Sequence, residues 1–447
     1  MLALNNKQCP HMPRAILWFR DDLRLEDNPA LDAALRECDG IVPVYILDQR
    51  YLERDRWGLR RTGPYRLKFL LESLEGLDAA LRERGSRLMV LKGVLEQELL
   101  RMAEMYQCRR LYASKAYTHE EIGVETSLSK AIDARFFHGS TLFNPEELPF
   151  VVAQLPDVFT QFRKRVERFV EVPEPLPTPD EVPGPELPKT DIPSVESLGQ
   201  QMPPADERSV LKFRGGAEEG HARIRHYLWD TRSLSSYKES RNGLIGADYS
   251  SKFSPWLANG CLSSRSVYYE VEDYEAKVER NESTYWLKFE LLWREYFRLV
   301  AMRYGRRIFF PGGIQDKAVG WKDNNKAFQD WCSGTTGDDF VDANMRELLF
   351  TGFMSNRGRQ NVASYLVHQL KQDWRKGAAW FESLLVDYDV CSNYGNWMYA
   401  AGVGNDPRSR VFNTRKQASM YDGDGAYRRL WLEVGGKEPL LFRQQFL

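Results

Sequence analysis

Ten of the 22 prolines in this 447-residue chain fall between Pro173 and Pro204. Proline lacks a backbone N–H and fixes φ, so a run this dense can be neither a helix interior nor a central strand. It must run extended as a connector, and it separates two parts of different pattern. Before it, β-rich apolar runs at 15–19, 41–47, 88–91, 110–113 and 134–137 alternate with helical patterns at 29–36, 65–83, 94–106 and 119–132. That alternation predicts an α/β domain built on a doubly wound, Rossmann-like parallel sheet. After it, helical patterns follow at 218–231, 263–278, 283–304, 324–332, 344–351, 359–370 and 378–386. The expected organisation is an α/β domain over 13–140, a connector over 141–216 and a larger all-helical domain over 217–447.

The first strand leads into Arg20-Asp21-Asp22-Leu23-Arg24 with no glycine fingerprint, which argues against a standard dinucleotide site. Lys+Arg (62) and Asp+Glu (63) cancel to a formal charge of −1, so any DNA contact has to come from a local patch. Lys288, Arg294, Arg298, Arg303, Arg306 and Arg307 are one candidate. The six cysteines are scattered and no His/Cys ligand spacing occurs, which reads as free thiols without a metal site. No apolar run reaches the length of a membrane span, and the start lacks the core of a signal peptide. The expected location is the cytoplasm, with an organelle or nucleus left open.

Chemistry concentrates in residues 351–404, where Asn356, Arg359, Asp387, Asp389 and Asn393 lie among Trp374, Trp380 and Trp397. Buried polar groups need partners, and a planar heterocycle such as a flavin would supply them. Arg359 can pair with a carboxylate of the 387–389 segment. On a helix, Glu290, Trp293, Arg294 and Phe297 share a face that could bind a heterocycle, although an amphipathic core helix looks the same. Tyr237, Arg241 and the Ser250-Ser251-Lys252-Phe253-Ser254 run read equally as a phosphate cradle or as ordinary helix capping. Trp321, Trp374 and Trp397 could relay an electron, or simply be core.

Together these segments resemble the photolyase/cryptochrome family, in wording closest to its DASH-type cryptochrome branch. The motifs are WFRDDLRLEDNPAL at 18–31, DYSSKFSPWLANGCLS at 248–263, FELLWREYF at 289–297, TGFMSNRGRQNVASYL at 351–366 and DYDVCSNYGNWMYAAGVGNDPR at 387–408. The resemblance implies an antenna domain followed by a helical domain holding non-covalent FAD. It assigns the FAD phosphates to Tyr237 and residues 250–254. It places Arg294, Asn356, Arg359, Asp387, Asp389 and Asn393 around the flavin, with Asn393 suited to the reduced form, and gives Trp397, Trp374 and Trp321 the photoreduction chain. The implied reaction is light-driven electron transfer from reduced FAD to a cyclobutane pyrimidine dimer in DNA, by a monomer. Glu290 would bond the dimer, Trp293 would stack on it and Arg241 would meet phosphate. Gln360 and Tyr399 depart from the duplex-specific pattern, which implies a preference for single-stranded or loosened DNA. Asn356 and Gln360 stand where the (6–4) enzymes have histidines, which disfavours that substrate. Glu121 marks a place for an antenna folate, 5,10-methenyltetrahydrofolate, or else an exposed acidic helix start. The competing reading is a blue-light signalling receptor with little repair. Only a short tail follows the last motif, whereas signalling members often carry long polar extensions.

Overall fold

A computed structural model describes residues 13–406, 411–433 and 442. The first twelve residues with Cys9, the end of the 387–408 motif and, residue 442 apart, the stretch beyond Glu433 lie outside them. Five strands, β1 (Arg14–Trp18), β2 (Gly40–Asp48), β3 (Met89–Gly93), β4 (Cys108–Ser114) and β5 (Asp133–Phe137), form one sheet in the order β3-β2-β1-β4-β5. Every pairing is parallel. The crossovers are α1 (Pro29–Glu37), α2 (Pro64–Arg82), α3 (Leu95–Met105) and α4 (His119–Leu128). Asn28 opens α1 by accepting from Leu31 N, with Pro29 in the first turn.

Because side chains alternate along a strand, the sheet buries two separate sets. Ile16, Val42, Val44, Leu111 and Ala113 pack with α3 and α4. Ala15, Leu17, Ile41 and Tyr112 face the other way and join a core continuous with the helical part of the chain.

The proline-rich stretch is extended and tied to the sheet. Asp27 N donates to Leu176 O, Ile41 N to Pro183 O, and Val182 N to Arg84 O. Ahead of it lies a helix the sequence reading passed over, α5 (Phe159–Phe169), whose Phe159, Phe162 and Val166 are buried.

The helical part comprises α6 (Ala217–Ile224), α7 (Tyr237–Ser240), α8 (Ser254–Ala258), α9 (Ser264–Lys277), α10 (Glu282–Tyr304), α11 (Asn325–Ser333), α12 (Asp339–Thr351), α13 (Asn356–Ser364), α14 (Trp374–Leu384), α15 (Val390–Ala401), α16 (Thr414–Tyr421) and α17 (Ala426–Leu432). Two π-helical turns, Arg225–Asp230 and Tyr365–Gln369, extend α6 and α13. Arg24 joins the two parts: buried, it donates to Gly260 O on one side and to Gly139 O and Asp27 O on the other. Among the described residues no helix is long and apolar enough to cross a membrane.

Candidate functional site

A cavity of about 270 Å³ opens among α7, α8, α10, α13 and the start of α15. Local geometry gathers its walls. Gly352 ends α12 at φ 70°, and a Cβ there would sit 2.6 Å from the Tyr65 ring, so only glycine makes this turn. Val386 N then donates to Gly352 O (2.9 Å), which pins the 385–389 loop against the strip leading into α13. Ser355 caps α13 by accepting from Gly358 N.

The result is a charged triad at the wall. Asp387 Oδ2 accepts from Arg359 Nη2 (2.8 Å) and from Ser254 Oγ (2.6 Å). Its other oxygen, Oδ1, is buried and has no partner among the described residues. Asp389 caps α15 through Ser392 N (2.7 Å) and accepts from Arg298 Nη2 (2.7 Å). Burial works to raise its carboxyl, but Arg298 and Arg294 outweigh this and hold it below the ordinary value. The sequence reading placed Arg298 only in a candidate DNA-contact patch, although it lies one turn beyond Arg294 on the same face of α10.

Arg294 donates to two carbonyls, Ser140 O (2.8 Å) and Leu257 O (3.0 Å). Burial, with Arg298 close by, pulls its guanidinium down to about 9. A cation in that position favours a ligand that brings negative charge.

Tyr237, Arg241, Ser250, Ser251, Lys252, Phe253, Ser254, Glu290 and Asn356 also line the cavity. Lys252 does so without offering its charge. Its Nζ donates to Ala247 O (2.7 Å) and lies 3.3 Å from the Tyr249 ring centroid, and burial pulls it down to about 7. The run before it is shaped from behind, because Arg223 donates to Ala247 O, Ser250 O and Ser251 O. Behind Lys252 sits Glu347, fully buried, accepting from Tyr427 OH (2.6 Å) and pushed by burial up to about 8.

At the rim Arg241 Nη1 donates to Glu290 Oε1. Of the residues assigned to the flavin's surroundings or the lesion, Asn393, Gln360, Trp293 and Tyr399 stand outside the lining. Asn393 Nδ2 donates to Ala378 O (3.0 Å), which leaves its oxygen as the remaining acceptor. Gln360 Oε1 accepts from Arg357 Nη1 (3.0 Å). Trp293 stacks on Phe159 of α5, centroids 3.7 Å apart and planes at 7°, and meets Tyr399 edge-on at 5.9 Å. One face of the indole is therefore filled by a residue absent from the sequence reading.

Within α10 the candidate basic residues form no surface patch, whereas Arg306 and Arg307, past its end, are exposed. Lys288 is buried against Glu272 and Glu275, Arg298 against Asp389, and Arg303 pairs with Asp157. At 100° per residue, charges close in sequence point in all directions around a helix.

Trp374 and Trp321 donate from their indole nitrogens to the same carbonyl, Pro311 O (3.1 and 3.4 Å). Trp397 packs on α14 one turn from Trp374, where a Cβ on Gly377 would lie 2.2 Å from its ring. Trp397 and Trp374 are buried and Trp321 is half-buried. Trp331, also unassigned in the sequence, meets Trp397 edge-on at 6.2 Å.

The strand order reverses between β1 and β4, and Glu121 stands beyond their C-terminal ends. There Glu121 accepts from Thr118 Oγ1 (2.8 Å). Asp21 is exposed at its surface, and partial desolvation by the surrounding protein together with Glu121 pushes its carboxyl up to about 7.

Residues 15–180 match the DNA photolyase family, and residues 286–438 match the FAD binding domain of DNA photolyase. A cryptochrome DASH of Gloeobacter violaceus is 47% identical over 432 residues, covering 95% of this chain and 86% of the relative. One from Xenopus laevis is 50% identical over 428 residues, covering 93% and 82%. The crystal structure of a Synechocystis cryptochrome superposes with a TM-score of 0.91 at 46% identity, covering 95% of this chain and 90% of that one.

Proposed function

This chain belongs to the photolyase/cryptochrome family and is an FAD protein of photolyase type; from that premise we propose that it repairs cyclobutane pyrimidine dimers under blue light, mainly in single-stranded or loosened DNA. The carrying observation is the pairing of two features in one cavity: the Asp387 wall with its unpartnered oxygen, and the Arg241–Glu290 rim.

The wall fits FAD. Asp387 Oδ1 offers a buried acceptor, Arg294 a cation without a bonded carboxylate, and Ser250 and Ser251 hydroxyls suited to phosphate, while the Ser254 hydroxyl is committed to Asp387. Asn393, its NH2 committed to Ala378, presents an oxygen that suits a reduced flavin carrying a ring hydrogen. A carboxylate there would repel the reduced anion. When bound, the reduced flavin supplies the chemistry, lending one electron to the dimer under blue light and recovering it after the ring splits.

The chain's own residues then orient the lesion. Glu290 accepts from a base N–H, Arg241 meets a backbone phosphate, and Trp293 gives a base its one remaining face. Gln360 and Tyr399 make this side of the pocket more polar than an all-apolar clamp. Flipping a dimer out of a duplex costs a few kcal/mol, which such contacts do not offset, so unpaired DNA is favoured. Trp397, Trp374 and Trp321 carry electrons inward to keep the cofactor reduced. Glu121, at the strand-order reversal, takes an antenna folate between the domains.

Initial repair rates on one dimer-bearing sequence, presented single-stranded and as duplex, test the preference. A clear excess on the single strand is expected, and equal rates would sink it.

A further inference from the structure

Arg241 and Glu290 are each assigned a substrate contact under the reading above, yet without DNA they are bonded to each other. Both are part-exposed, at 21% and 31% of their side-chain surface, so both are within reach of a ligand at the rim. The guanidinium also lies over the Trp286 ring, 5.3 Å from its centroid, which keeps it at the rim when the bond opens. Lys238 shares that ring at 5.4 Å and is paired with Glu282. The neighbouring Arg357 differs. Its recorded hydrogen-bond partners are neutral, Asn242 Oδ1 (2.9 Å) and Gln360 Oε1 (3.0 Å), so no carboxylate competes there with a phosphate.

Resting on the dimer-repair reading, we propose that the Arg241–Glu290 pair is a latch that makes a phosphate contact conditional on a damaged base. A phosphate arriving alone would take Arg241 and strand a half-buried carboxylate. A base N–H arriving alone would take Glu290 and strand a guanidinium. Only a strand that delivers both, a flipped dimer with its own phosphate, replaces the pair's bond on both sides. An undamaged strand, with no base in the cavity, contacts Arg357 and leaves Arg241 closed. The latch thus converts a sequence-neutral phosphate contact into part of the lesion specificity.

The test measures dark binding of dimer-bearing and undamaged single strands of one sequence across a salt series. The proteins are FAD-loaded wild type, Glu290→Gln, Arg241→Gln and the double variant, with flavin absorbance confirming that each is folded. In wild type the salt slope for the dimer strand should exceed that for the undamaged strand by about 0.7, the value of one extra neutralised phosphate on a single strand. In Glu290→Gln the undamaged strand should bind several-fold tighter and its slope should rise to match. In the Arg241→Gln background, adding Glu290→Gln should leave undamaged binding unchanged. Equal slopes in wild type overturn the latch. So does tightening that persists without Arg241, which would be simple removal of a negative charge. Dimer affinity unaffected by Glu290→Gln would instead overturn the substrate reading beneath it.

Discussion

Replacing Asp387 by Asn probes the wall with least change in shape. The carboxylate accepts from Arg359 and Ser254 through Oδ2 and leaves Oδ1 buried and unpartnered. An amide has one oxygen and one NH2. With its oxygen toward Arg359, the NH2 replaces the acceptor that faces the ligand. Turned over, it sets a donor against two donors. Either way one acceptor is lost, and a hydrogen bond to a charged group contributes about 1.5–3 kcal/mol. FAD affinity should therefore fall roughly 10- to 150-fold. The apoprotein should lose less, about 1 kcal/mol or under, because Arg359 keeps 24% of its side-chain surface in water and can be solvated. Equilibrium titration of apoprotein with FAD, beside thermal melts of the same apoprotein, separates the two quantities. Unchanged FAD affinity would refute the reasoning. A melt that falls as far as the affinity would refute it too, since Asp387 would then be only a structural prop.

Trp374→Phe keeps a buried ring but removes the donor to Pro311 O and the oxidisable indole; photoreduction, followed as bleaching near 450 nm, should nearly vanish at a stability cost of about 1–3 kcal/mol. Gly377→Ala places a methyl 2.2 Å from Trp397 and 2.6 Å from Leu366. Overpacking by about 1–3 kcal/mol should exceed the helix-propensity gain of about 1 kcal/mol, so denaturant unfolding should show net destabilisation and slower photoreduction. Glu347 is raised from 4.5 to about 8, so the stability it confers is complete below its unfolded value and is lost as pH rises toward 8. Glu347→Gln should flatten that decline in unfolding measurements between pH 4.5 and 8; an unaltered slope would contradict the assignment.

Strand and helix alternation made the elements of the α/β domain legible to within a few residues, because the strands carry apolar runs and helices such as α1 begin at a clear signal, Asn28-Pro29. Helix α15 was missed for a physical reason. VCSNYGNWMYAA is buried or half-buried on most sides, so no 3.6-residue stripe marks it. Helix α5 does carry a stripe, Phe159, Phe162 and Val166, but it abuts the proline-rich stretch and was taken into the connector. The motifs located the cavity wall, while the contacts across elements stayed invisible. Nothing in the sequence shows Phe159 on Trp293, or one carbonyl shared by Trp374 and Trp321. A linear count of charge ignores helical rotation, so of the six candidate basic residues Lys288 and Arg298 are buried in ion pairs while Arg306 and Arg307 stay exposed.

The most direct measurement of repair uses the FAD-loaded protein with a reductant and a dimer-bearing single strand, and counts intact thymines after blue light and after an equal time in darkness. Restoration of thymines in the light alone is the predicted result. No restoration, with FAD bound and reduced, would contradict repair and favour a light receptor built on the same cavity.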